Sequence, residues 1–106
     1  MTRRAAAVDA NQPEIVKALR DVGASVQHLH TVGKGCPDIA VGFRGKNYLL
    51  EIKDGSKPPS GRKLTTDEAE WHLKWGGAVS IVNTTNEALL AIGLGVVDIP
   101  FRGGVT

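Results

Sequence analysis

The sequence has few of the features that mark secreted, membrane-spanning or low-complexity proteins. Its single cysteine, Cys36, excludes an internal disulfide and a cysteine metal cluster and favours a reducing, cytoplasmic setting. No window approaches the roughly 18 consecutive apolar residues that a membrane span requires, and the apolar run after Arg3 and Arg4 is too short for a secretory signal. No internal repeat is present. We therefore expect one domain in these 106 residues and no membrane partner.

Charge is unevenly distributed, although the net charge is only +2. From Lys34 to Lys63 there are seven basic and three acidic residues, so this segment is basic while the rest of the chain is slightly acidic. A basic segment around a few carboxylates suits a polyanionic substrate whose chemistry requires a metal ion. A solvated charged surface explains the same composition equally well.

Hydrophobic periodicity predicts the order helix, three strands, helix, strand, helix. The first helix is predicted from about Gln12 to Val22, with Asn11 as its cap and a buried stripe of Ile15, Leu19 and Val22. The remaining elements are a strand at 26–29, a hairpin within 37–54, a helix from 65 or 66 to 76–77, a strand at 78–83 and a helix at 87–92. A hairpin followed by a helical crossover indicates a mixed α/β domain with antiparallel and parallel pairing.

The hairpin has two alternating runs on either side of Gly45-Lys46. With that pair as a two-residue loop, each apolar residue of the first run faces an apolar residue of the second. The predicted pairs are Ile39 with Ile52, Val41 with Leu50, and Phe43 with Tyr48. The opposite face then carries Asp38 across from Lys53, and Glu51 diagonal to Asp38.

Two carboxylates and a lysine on one sheet face form a candidate metal site. Carboxylate oxygens suit Mg²⁺, which usually takes only one or two of them together with water and substrate phosphate. Asp38 and Glu51 are the candidate ligands, and the small residues Ala40 and Gly42 leave space above them. Lys53 would orient or deprotonate the attacking water, or stabilise developing negative charge. The alternative is a cross-strand ion pair of Asp38 with Lys53, which leaves Glu51 in solvent.

These residues resemble the signature of the PD-(D/E)xK nucleases. The stretches Gly35-Cys36-Pro37-Asp38 and Leu49-Leu50-Glu51-Ile52-Lys53 are similar to it, and more specifically to the stand-alone VRR-NUC domain, itself similar to archaeal Holliday junction resolvases. The resemblance extends from about Pro13 to Leu94 and includes both flanking helices. It implies a restriction-endonuclease-like αβββαβ core with a mixed sheet flanked by helices. We therefore expect one nuclease domain over residues 1–106, with its core at about 12–94.

By this resemblance the protein is expected to be an endonuclease that hydrolyses DNA phosphodiester bonds with Mg²⁺ or Mn²⁺, with branched or structured DNA as a candidate substrate. Asp38, Glu51 and Lys53 are its expected catalytic residues. The resemblance also implies a metal site made by Asp38, Glu51, the backbone carbonyl of Ile52, and Glu14 on the first helix. The alternative for Glu14 is a capping box with Asn11.

Glu68 departs from the family pattern, because the family usually has a glutamine at this point in the second helix. The carboxylate could add a ligand, compete for Lys53, or cap the helix in the arrangement Thr65-x-x-Glu68. The cap is the simplest interpretation, and an additional active-site role for Glu68 stays open.

Basic residues near the hairpin are candidates for contacts with the nucleic-acid backbone. They are Lys34, Lys57, Arg62 and Lys63. Three of them lie on a loop rich in proline and glycine, where a flexible solvated segment is nearly as good an explanation.

Five other side chains and one loop have two interpretations each. Trp71 and Trp75 lie four residues apart on the second helix, which favours core packing over base stacking. His28 and His30 share a strand face without a third ligand, so we interpret them as surface or DNA-facing residues. Cys36 is interpreted as a packing residue. The loop at 33–35 lacks the strand–loop–helix context of a phosphate-binding loop.

Two functions of other classes are also compatible with the sequence. A nucleic-acid-binding module of the same fold would be expected to lack a ligand or the lysine, whereas Asp38, Glu51 and Lys53 are all present. A structural or adaptor domain would have no need of a polar sheet face. A homodimer would present two sites to two DNA strands, but one sequence reveals no interface.

Overall fold

The computed structural model describes residues 9–94, and within that range it contains three α-helices and four strands. The helices are α1 (Gln12–Asp21), α2 (Thr66–Lys74) and α3 (Thr85–Ala91). The strands are β1 (Ser25–His28), β2 (Ile39–Phe43), β3 (Lys46–Ile52) and β4 (Ser80–Val82), and a 3₁₀ turn (Pro59–Arg62) lies between β3 and α2. None of the described helices is long and apolar enough to cross a membrane. The segment considered above for a secretory signal lies outside the described residues.

The four strands form one mixed sheet in the order β1-β2-β3-β4. The first three pair antiparallel, while β3 and β4 pair in parallel. Parallel pairing is available because α2 carries the chain back to the starting edge of the sheet between these two strands. The element order and the mixed α/β architecture are those that the sequence predicted.

One face of the sheet packs against α1 and α3 and forms the core. The buried apolar residues are Ile15, Val16, Leu19, Ala24, Ile39, Val41, Phe43, Leu50, Ile52, Val82, Ala88 and Ile92. The predicted stripe of α1 is wrong at Val22, which is 39% exposed. The reason is that α1 ends at Asp21, and Gly23 turns the chain away with φ +93.

Asn11 precedes α1 but does not cap it. Its backbone is already helical (φ −85, ψ −4), and its side chain accepts no hydrogen bond from the helix. The side-chain amide instead donates to the backbone carbonyls of Lys53 (3.0 Å) and Asn83 (3.1 Å). The predicted cap is therefore wrong, and Asn11 ties the start of α1 to the ends of β3 and β4. The capping box with Glu14 is not formed either.

The hairpin register differs by two residues from the predicted one. Ile39 pairs with Leu50 and Val41 with Tyr48, because the turn is Arg44-Gly45 and not Gly45-Lys46. Arg44 (φ 53) and Gly45 (φ 81) both adopt the left-handed conformation that a type I′ hairpin turn requires. A shift of two residues leaves every side chain on its original face. The predicted faces are thus confirmed while the predicted pairs are wrong.

Substituting Gly45 by alanine should destabilise the protein by about 1 kcal/mol, because a Cβ disfavours the left-handed conformation. Gly76 is a matched control. A Cβ at either glycine would meet no atom within 4 Å, but only Gly45 has a left-handed φ. Gly76→Ala should change the free energy of unfolding by less than about 0.5 kcal/mol. Urea denaturation of both variants measures the difference, and equal effects would contradict the turn assignment.

Candidate active site

A cavity of about 450 Å³ opens on the face of the sheet away from the core. Its walls come from the segment before α1, the loop between β1 and β2, the end of β3 with Lys53 after it, and the start of α2. Asp38, Glu51, Ile52, Lys53 and Glu68 all line it. The structure therefore brings the predicted catalytic residues together in one place.

Asp38 and Glu51 meet because Ile39 pairs with Leu50, which brings Asp38, just before β2, beside the end of β3. The backbone N–H of Asp38 donates to the carbonyl of Leu50 (3.1 Å), and the N–H of Ile52 donates to Oδ2 of Asp38 (2.7 Å). The two carboxyl groups are close enough for each to affect the pKa of the other. Glu51 is buried, with 2% of its surface exposed. The carboxyl group of Glu51, on the outer face of β3, is therefore almost completely shielded from water.

Burial raises the pKa of Glu51 to about 9, and the negative charges of Asp38 and Glu68 add to this effect, while Lys53 opposes it. Burial also raises the pKa of Asp38, although the hydrogen bond from Ile52 acts in the other direction. Burial and the adjacent negative charges therefore favour the protonated form of Glu51 in the metal-free protein.

The donor set fits a hard divalent cation. Within residues 9–94 no group of three or more His, Cys, Asp and Glu side chains is arranged to hold a metal ion. Mg²⁺ does not need such a group, because one or two carboxylates with carbonyl and water oxygens suffice. Oε1 of Glu51 is buried without a hydrogen-bond partner among the described residues, and Ile52 lines the same cavity. Asp38, Glu51 and the Ile52 carbonyl are thus suitable ligands.

Lys53 and Glu68 form the shortest ion pair at the site, with Nζ of Lys53 2.7 Å from Oε1 of Glu68. Nζ is also 3.8 Å from Oε2 of Glu51. Burial alone would lower the pKa of Lys53, but the hydrogen bond from Lys53 to Glu68 and the neighbouring carboxylates outweigh it, so the pKa is raised. The lysine is therefore an ammonium. The cross-strand pair of Lys53 with Asp38, which was the alternative to a metal site, does not form within residues 9–94.

Glu68 performs two of the predicted roles at once. Its Oε1 accepts from the backbone N–H of Thr65 (2.8 Å), and the Thr65 hydroxyl accepts from the Glu68 N–H (3.1 Å), which completes a capping box. The same oxygen binds Lys53. Although burial alone would raise the pKa of Glu68, these hydrogen bonds lower it. A carboxylate that caps α2 therefore also holds Lys53, the predicted catalytic lysine.

The structure does not bring Glu14 to this cavity. Glu14 is exposed and lines a separate cavity together with Asp54 and Asn83. Asp9, just before α1, lines the cavity of Asp38 and Glu51 instead, and its charge contributes to the raised pKa of Asp38. The sequence offered one signal for Asp9, a carboxylate three residues before the predicted helix. Acidic residues are in any case favoured near the N-terminus of a helix, so this position alone does not indicate a functional site.

The predicted nucleic-acid contacts fall into two groups. Lys34 is exposed and lines the active-site cavity. The other three lie on the segment between β3 and α2, away from the lining. There Lys57 is 3.8 Å from Asp9, and Nε of Arg62 donates to the carbonyl of Lys57 (2.8 Å). Lys63 is exposed. These positions are compatible with phosphate contacts along an approach to the cavity.

The expected core packing of the two tryptophans is wrong. Trp71 and Trp75 stack on each other, with ring centroids 4.6 Å apart, and Trp75 is 46% exposed. No residue of α2 is buried, because the helix meets the sheet only through its polar face. Gly35 is required for this approach, since a Cβ there would overlap the backbone carbonyl of Asp67. The tryptophans therefore form part of an outer surface, where base stacking stays open.

Three further residues approach the cavity. His30 lines it, whereas His28 is exposed and contacts the His30 ring edge-on at 5.9 Å. Cys36 also lines it, and burial together with the Glu51 and Asp38 charges raises the pKa of its thiol. A raised pKa is consistent with packing rather than nucleophilic attack.

His72 lies against Glu51, with its Nε2 3.9 Å from Oε1 of Glu51. No local pattern singled out His72, because its position depends on how α2 docks.

No protein-family model and no curated protein matches the chain. The chain is similar to a solved structure described as a VRR_NUC domain, with a TM-score of 0.57 and 20% sequence identity. The match covers 79% of this chain and 96% of that chain. The chain therefore has the VRR-NUC fold that the sequence resemblance predicted.

Glu51→Gln should stabilise the metal-free protein, and more so as the pH rises. Because the native state raises the Glu51 pKa from 4.5 to about 9, its stabilising contribution is complete below the lower value and is lost as pH rises to the upper one. Glutamine does not ionise, so the variant should gain about 1–3 kcal/mol on wild type between pH 5 and pH 9.

Urea denaturation in the presence of a chelator measures this gain at both pH values. Glu70→Gln, at an exposed position of α2, is the control and should show no such trend. Parallel pH profiles for wild type and Glu51→Gln would show that Glu51 is not protonated in the native state.

Proposed function

We propose that this protein is a divalent-metal-dependent endonuclease that hydrolyses DNA phosphodiester bonds. The observation that carries the proposal is the buried Asp38–Glu51 pair beside the ammonium of Lys53, in a cavity open to solvent. A purely structural sheet face would not place two carboxyl groups together at this cost in solvation. The VRR-NUC fold supports the same conclusion, because it is a nuclease-type fold.

Asp38, Glu51 and the Ile52 carbonyl would hold Mg²⁺ or Mn²⁺. When bound, such an ion supplies positive charge to the scissile phosphate and lowers the pKa of a bound water. Glu51 must lose its proton for this, so metal binding is coupled to proton release. Asp38 keeps its orientation through the hydrogen bond from the Ile52 N–H. The protein thus contributes ligands whose geometry is set by the β2–β3 ladder.

Lys53 supplies a fixed positive charge next to these ligands. Its ammonium is held by Glu68 and lies near Glu51, so it can stabilise the negative charge that develops on the phosphate. As an ammonium it is better suited to this role, or to orienting the attacking water, than to deprotonating it. Glu68 acts as the residue that positions Lys53.

Substrate is expected to enter along the basic side of the cavity. Lys34 at the rim, with Lys57, Arg62 and Lys63 on the adjoining loop, would contact backbone phosphates. Branched or structured DNA as the substrate, and a homodimer that presents two sites to two strands, belong to this proposal as expectations from the family resemblance. A cytoplasmic setting likewise stays a prediction.

Asp38→Asn should weaken Mn²⁺ binding by at least tenfold, because it removes a charged ligand yet keeps an oxygen for the Ile52 N–H. Calorimetric titration of Mn²⁺ at fixed pH measures the effect. Glu14→Gln is the informative control, since Glu14 lines a different cavity and its loss should leave the affinity unchanged. Unchanged binding by Asp38→Asn would remove Asp38 from the site. A loss with Glu14→Gln would return Glu14 to it.

Lys53→Ala should reduce cleavage by roughly two to four orders of magnitude, as expected for a charge-stabilising group. DNA affinity should fall much less, because several other basic residues contribute to it. Cleavage is measured with Mg²⁺ on linear, nicked, flapped and four-way DNA, and binding is measured with Ca²⁺ at the same salt concentration.

Lys17→Ala removes an exposed lysine on α1 and should affect neither quantity. Wild-type cleavage by Lys53→Ala would contradict the mechanism. Binding without cleavage by the wild-type protein itself, with every DNA form and metal, would identify a nucleic-acid-binding module.

A further inference from the structure

Two buried polar atoms face each other at the edge of the metal site. Nε2 of His72 lies 3.9 Å from Oε1 of Glu51. Both atoms are buried, and neither has a hydrogen-bond partner within residues 9–94. The other oxygen of Glu51, Oε2, is 3.8 Å from Nζ of Lys53. The carboxyl group of Glu51 therefore has the histidine near one oxygen and the lysine near the other.

This arrangement is unusual for a folded protein, because buried polar atoms nearly always have a hydrogen-bond partner. The separation exceeds an N–H···O hydrogen bond by about 1 Å. A small rotation of either side chain would close it. A neutral imidazole with its proton on Nε2 is a donor, and a carboxylate oxygen is an acceptor. Each atom can thus serve as the partner of the other, and Oε1, with two lone pairs, can accept from His72 and still bind a metal ion.

The position of His72 is set by the same helix that positions Lys53. Glu68 and His72 are four residues apart on α2, so their side chains lie on the same helix face. The Glu68–Lys53 ion pair and the capping box place that face against the outer side of β3. Trp71 contacts the His72 ring edge-on, with centroids 6.1 Å apart, and restricts its orientation.

We propose that His72 is a positioning residue whose Nε2–H donates to Oε1 of Glu51 and fixes the orientation in which this carboxylate meets Asp38 and the metal. The inference rests on the proposed metal site, which it deepens. Carboxylates that bind metals are commonly held by such outer hydrogen bonds, whose loss reduces metal affinity about 10–100-fold. His72 would act through Glu51 and would not touch the substrate.

The first test compares two substitutions that differ in hydrogen-bonding ability. His72→Phe fills the volume of the ring without a donor, whereas His72→Gln retains an N–H donor near the position of Nε2. We expect His72→Phe to weaken Mn²⁺ binding about 10–100-fold in calorimetric titration, and His72→Gln to remain within about threefold of wild type. Leu73→Ala, at a position that is 86% exposed on the same helix, should bind as wild type does. Circular dichroism should show that all variants are folded.

The second test needs no metal. Long-range ¹⁵N–¹H NMR spectra of the metal-free protein should show the His72 imidazole as the Nε2–H tautomer, with that proton slowed in its exchange with water. The Nδ1–H tautomer, or a rapidly exchanging proton, would overturn the hydrogen bond. Equal Mn²⁺ affinities for His72→Phe and wild type, or equal losses in His72→Phe and His72→Gln, would overturn the positioning role. If wild type bound no Mn²⁺ at all, the proposed metal site would fail, while the NMR result would still decide the hydrogen bond.

Discussion

The carboxyl group of Glu51 is held away from water on the outer face of the sheet, and the neighbouring elements are arranged around that constraint. An isolated ionised carboxylate in such a place costs several kcal/mol. Here the group lies beside Asp38 with its pKa raised, is near the ammonium of Lys53, and faces His72. Each partner comes from a different part of the chain. The cost is therefore reduced only when the hairpin and α2 are correctly assembled.

The attachment of α2 follows from the same constraint. This helix buries none of its residues, so apolar packing contributes little to its position. Polar contacts replace it, chiefly the Lys53–Glu68 ion pair, and the close approach of Gly35 to the Asp67 carbonyl allows the helix to lie near the loop. Because Glu68 also completes the capping box of α2, one carboxylate both stabilises the start of this helix and binds Lys53. A helix attached in this way leaves its outer tryptophans available to contact other molecules.

Asp9 and Glu14 show why the position of a site residue does not follow from a resemblance alone, since Asp9 lines the cavity of Asp38 and Glu51 and Glu14 lines another. Both residues are acidic and lie near the start of α1. For Glu14, the sequence left two interpretations, a metal ligand or a capping box with Asn11. Which of them reaches the cavity depends on the rotation of α1 about its axis, and that is set by Ile15 and Leu19 in the core and by the anchoring of Asn11 to β3 and β4. These are contacts between residues far apart in the chain, and no spacing rule contains them.

Local chemistry determined much of this protein from the sequence alone. The period of two placed Asp38, Glu51 and Lys53 on one face of the hairpin, and the Thr65-x-x-Glu68 pattern set the start of α2, because both depend only on residues a few positions apart. The tertiary structure decided the rest. The predicted register was wrong because a turn at 45–46 and the actual turn at 44–45 place every side chain on the same face, so the apolar pattern cannot distinguish them. The exposure of Trp71 and Trp75 and the approach of His72 to Glu51 depend on how α2 docks, and this docking comes from polar contacts between distant segments rather than from a hydrophobic stripe.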